Sequence, residues 1–71
     1  MTKHRFPTST SLQECEYDDA KKEMHITFAT GGRHTFSGVS KDAFDALKAA
    51  DSPGSHFHMH IRRKYDSRKA D

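Results

Sequence analysis

Seventy-one residues with a formal charge of +2 and a mean hydropathy of -0.97 allow one domain with a thin core. No apolar run is long enough for a membrane span or a signal-peptide core. The 32% hydrophobic content borders on that of disordered chains, but five Phe, two Tyr and regular apolar spacing argue for a fold.

Residues 1–10 carry one Phe, one Pro and several Ser and Thr, and read as a flexible arm before a single domain over 11–66. Even spacing then begins. Cys15 and Tyr17 share one side of a strand, Met24, Ile26 and Phe28 share one side of the next, and Phe36 marks a third. A four-residue loop, Asp19 to Lys22, sets Tyr17 opposite Met24 and Cys15 opposite Ile26. For the second hairpin, a two-residue Gly31-Gly32 turn would put Phe36 opposite Thr27, on the wrong face. A three-residue loop, Thr30 to Gly32, puts Phe36 opposite Ile26 and His34 opposite Phe28, with Gly32 supplying the left-handed residue. The expectation is a three-stranded antiparallel meander with one apolar face.

Helix signals follow. Ser40 is an N-cap, Asp42 lies in the first turn, and Val39 and Phe44 occupy hydrophobic-staple positions. Ala43, Phe44, Leu47 and Ala50 form one narrow stripe. Ser52-Pro53 ends this helix and caps a second, in which Phe57, Ile61 and Tyr65 recur at intervals of four. A strand would also align those three but would add Met59 and Arg63 to the same face, so the helix is preferred. The fold expected is α+β, in the order βββαα, with two short helices covering one sheet face and residues 67–71 as a C-terminal tail.

The chain resembles the KTSC domain, a short family found at the C-terminus of some lysyl-tRNA synthetases and as a stand-alone bacterial protein. The resemblance rests on "YDD" at Tyr17 to Asp19, "MHITFATGGRHTFSGV" at Met24 to Val39 and "AFDALKAADSPGSHFHMHIRRKY" at Ala43 to Tyr65. It includes the Ser52-x-Gly54 positions and Phe57 before the basic end. One feature departs: the family's central Tyr-x-Tyr is His34-Thr35-Phe36 here, so a role resting on the phenol hydroxyls is not expected, while ring packing or stacking is compatible with the change. RNA binding has been suggested for the family, mainly from its synthetase association.

The candidate chemistry is sparse. Cys15, the one cysteine, forms no intrachain disulfide and reads as a buried, inert thiol, with the cytoplasm as default compartment. On a helix His56 and His60 share a face and His58 points elsewhere. Two imidazoles hold a divalent ion weakly, and Asp51 and Asp66 stand at no useful spacing, so no metal site and no cofactor is expected. Gly31-Gly32 lacks the lysine and hydroxyl of a phosphate loop, and no nucleophile and base can be assembled, so the chain does not read as an enzyme. The basic residues are the remaining signal. Between Arg62 and Lys69 lie five of them with one Asp. Part of that pattern complements a helix dipole. The rest makes Lys41, Arg62, Arg63, Lys64, Arg68 and Lys69 candidates for contacting RNA phosphates. The expected function is therefore a small non-catalytic binding module for structured RNA. The alternative is a module that binds a protein or itself through apolar surface left by two short helices.

Overall fold

The first hairpin has the register that the apolar pattern selects. In the computed structural model, which describes residues 1–69, β2 (Leu12–Asp18) pairs antiparallel with β3 (Glu23–Phe28), Tyr17 facing Met24 and Cys15 facing Ile26. Asp18 shapes the intervening loop, its carboxylate accepting from the backbone N–H groups of Ala20 and Lys21. The register shifts between Leu12 and Glu14. This bulge lets Leu12 join Cys15 and Tyr17 in the core despite its odd spacing.

The expected three-stranded meander is corrected to a five-stranded antiparallel sheet. Its order is β1-β2-β3-β4-β5, with β4 at Arg33–Ser37 and outer strands β1 (Thr2–Arg5) and β5 (Ser67–Lys69). The outer strands come from the segments expected as arm and tail, whose residues 70 and 71 lie outside the described residues. Neither strand has an apolar alternation, because each is held by means that do not need one. Backbone pairing joins β1 to β2, Glu14 lies 3.5 Å from Lys3 and 3.8 Å from Arg5, and Phe6 is buried just beyond. In β5, Ser67 to Lys69 are all exposed and pair with Phe36 to His34. Charged, short edge strands also discourage pairing with further chains.

The second hairpin needs a smaller correction. Its loop has three residues, but they are Ala29 to Gly31, with the Phe28 N–H donating to the Gly32 carbonyl at 2.8 Å. Gly31, at φ +103°, takes the left-handed position one residue earlier than expected. Phe36 therefore faces Met24, and His34 faces Ile26. The slip is by two, so every side chain keeps its face.

Helix α1 (Lys41–Ala49) starts as the capping signals indicate. The Ser40 hydroxyl accepts from the Ala43 N–H, while Val39 and Phe44 are both buried on either side of the cap. Phe44 stacks on Tyr17 with centroids 5.0 Å apart, and the Tyr17 hydroxyl donates to the Val39 carbonyl at 2.7 Å. The second helix is shorter than expected and changes type. Helix α2 covers Pro53–His56, a π-helical segment covers Phe57–Arg62, and Tyr65 lies beyond both. The Ile61 carbonyl accepts from both the Lys64 and Tyr65 N–H groups as this segment closes. The Ser37 N–H then donates to the Asp66 carbonyl at 3.0 Å, so pairing with β4 competes with further helix. Phe57 and Ile61 nevertheless reach the core, with Tyr65 half-buried at its margin.

Two substitutions test this core. Leu47→Ala is expected to cost about 2–5 kcal/mol, the range for a fully buried Leu. Tyr17→Phe is expected to cost about 1–3 kcal/mol, because it leaves a buried carbonyl without its donor. Urea unfolding midpoints check both. An unchanged midpoint for Tyr17→Phe would mean that water replaces the hydroxyl.

Candidate nucleic-acid interface

Gly54 brings α2 close to the start of β2. A Cβ at that position would lie 2.9 Å from both Cβ and Oγ of Ser11, too near for any other residue without displacement. This approach, together with the end of β3, encloses an open groove of about 520 Å³. Buried Leu12 and Phe57 and half-buried Phe28 form its apolar base. Its rim carries exposed Ser11, Ser55, His58, Met59 and Arg62. No Asp or Glu lines it among the described residues. Phe28 meets Phe57 edge-on at 5.5 Å and His34 edge-on at 5.4 Å, which fixes its ring from two sides.

The six basic candidates are divided by the fold. Arg62, Arg63 and Lys64 end the π-helical segment and enter the turn after it, all exposed, and Arg62 lines the groove. Lys69 lies on β5 opposite His34. Arg68, one residue earlier, points to the other sheet face and pairs with Glu23 at 3.4 Å. Lys41 stands on the first turn of α1, 3.4 Å from Asp45. Asp45 also meets Lys48, whose hydrogen bond is the main cause holding this carboxyl below its usual range.

The sheet face away from the helices neutralises itself. Lys3, Arg5 and Arg33 join Glu14 and Glu16 there, beside the Glu23–Arg68 pair. On the same face a His25 ring nitrogen and the Thr35 hydroxyl are 2.7 Å apart, so buried Thr35 has a partner. Phe36, the second ring of the His34-Thr35-Phe36 triplet, is in the core and meets Phe57 edge-on.

Cys15 is fully buried, and that burial pushes its thiol up to about 12. The His56 and His60 rings lie 4.7 Å apart. Among the described residues no group of three or more His, Cys, Asp or Glu is placed to hold a metal ion. No helix among them is long and apolar enough to cross a membrane. The groove itself is not foreseeable from spacing along the chain. The Ser52-x-Gly54 pattern is visible there, but the meeting of Gly54 with Ser11 depends on the fold.

This geometry defines a small α+β domain with one bare, charge-paired sheet face and a groove beside its helical end. The KTSC domain family model matches residues 8–65, and the chain belongs to that family. The crystal structure of a KTSC domain protein from Yersinia pestis shares the fold. Its TM-score is 0.90 at 24% identity, over 99% of this chain and 97% of that one. An uncharacterised protein of Stutzerimonas stutzeri is 31% identical over 51 residues, 72% of either chain.

His56 makes stability depend on pH. Partial burial first, and the neighbouring His60 second, hold His56 below the usual 6.5. Its proton binds less readily in the folded state, so this contribution is complete above about 6.5 and is lost as pH falls towards the lower folded value. The melting temperature should therefore drop between about pH 8 and about pH 5. His60→Gln should shrink that drop. An identical drop in the variant would show that His60 adds nothing to the burial of His56.

Proposed function

We propose that this domain is a non-catalytic module that contacts the phosphate backbone of structured RNA through Arg62, Arg63 and Lys64, with Lys69 close by in sequence. One observation carries the reading. Seven of the twelve lysines and arginines stand within ion-pair distance of a carboxylate. Of the five that have no such partner among the described residues, four lie between Arg62 and Lys69. Cations without a carboxylate partner remain open to an external anion, and Arg presents a fork that matches phosphate oxygens. Lys41 and Arg68 are engaged in their own ion pairs, Arg68 on the other sheet face, and fall outside this set.

The second reading, a protein partner or a second copy of the chain, is favoured by Met59. It is 60% exposed on the rim of the groove, next to the apolar base that includes half-buried Phe28.

A salt titration of RNA binding separates the two. Each phosphate that the protein neutralises releases counterions, so R62Q/R63Q should flatten the logarithmic slope by about 0.7–0.9 per phosphate no longer neutralised. Affinity should fall for unrelated RNA sequences alike. The melting temperature should barely move, since exposed charges contribute little to folding. Undetectable binding by the unsubstituted protein at low salt removes the RNA reading and favours the protein partner. Unchanged affinity in the folded variant assigns RNA to another face.

A further inference from the structure

Resting on the RNA reading above, we propose that the groove receives one unpaired nucleobase, its flanking phosphate held by Arg62. A row of cations alone would treat every backbone alike. The groove adds what that row lacks. Its base offers the half-buried ring of Phe28, its rim offers the Ser11 and Ser55 hydroxyls, and Arg62 stands on the same rim. Its volume of about 520 Å³ lies in the range of small-molecule sites and leaves room for a base with its sugar.

Charge selects the occupant. The groove has a guanidinium and no carboxylate in its lining, and Arg63 and Lys64 continue the positive run from its edge. A neighbouring hollow between residues 8–11 and 51–55 contains Asp51 and is lined mostly by hydroxyl-bearing residues. It offers an anionic, flat ligand neither an aromatic ring nor a cation. A base in a duplex is stacked and paired and cannot enter a groove of this kind. One in a loop or bulge can be turned out onto an aromatic side chain, and every base has a face to stack. The ligand class is therefore structured RNA with an unpaired nucleotide, recognised with little preference for which base it is.

The experiment compares a stem–loop RNA with a blunt duplex of the same nucleotide count, each titrated against the full chain at low salt. The stem–loop should bind about tenfold more tightly, the scale of one base stacked on an aromatic ring. Ser55→Trp, at an exposed position on the rim, fills the groove and should bring the stem–loop down to the duplex value without changing the salt slope. Phe28→Leu keeps an apolar side chain while removing the ring and should do the same, with melting curves confirming that both variants fold. Equal binding of the two RNAs, or a preference that survives both substitutions, overturns the groove inference and leaves the phosphate reading standing. No binding of either RNA overturns both. Self-association of the free protein that Ser55→Trp abolishes would also overturn the inference, by assigning the groove to a second copy.

Discussion

The hold of Tyr17 on the segment between β4 and α1 is the contact on which the rest of the molecule depends. Its ring stacks against Phe44 while its hydroxyl caps the carbonyl of Val39, the residue just before the helix cap. One side chain from the middle of the sheet thus sets both the height and the starting point of α1. Lys48 adds to the arrangement, its ammonium 4.6 Å from the Phe44 ring centre. With α1 in place, the short connection through Ser52 and Pro53 leads α2 back towards Ser11. The groove is a consequence of that course.

A sheet with one apolar face and so few residues to cover it uses its helices economically. Phe44 and Leu47 from α1, with Phe57 and Ile61 from the second helical stretch, complete the core. The π-helical segment serves this purpose while delivering the chain to the edge of β4. Single π turns frequently occur at functional sites. Here that turn carries Met59 and Arg62 to the rim of the groove, and the run of exposed cations continues from its end.

The opposite sheet face explains why a basic chain need not be basic everywhere. Its lysines and arginines alternate across strands with Glu14, Glu16 and Glu23, so the field there largely cancels. Among the described residues, four of the five cations without a carboxylate partner lie between Arg62 and Lys69. Replacement of the family's central tyrosines by His34 and Phe36 is absorbed into packing, one ring against Phe28 and the other against Phe57.

Side-chain spacing along the chain was enough to reveal the apolar faces of the three central strands, the first hairpin's register, the cap and staple of α1 and the burial of Phe57 and Ile61. Each of these is written in the positions of side chains that must leave water together. Spacing also marked Arg62, Arg63 and Lys64, because charges crowded along the chain remain neighbours after folding. The outer strands were settled by folding in three dimensions, since backbone hydrogen bonds can recruit "TKHR" and "SRK" whatever their side chains. So was the position of the second turn, because a slip of two residues leaves the apolar pattern unchanged. Folding also chose which cations are matched to internal carboxylates. And it alone made the groove, where Ser11, Phe28 and Gly54 meet although they are far apart along the chain, because a concave surface belongs to no single segment.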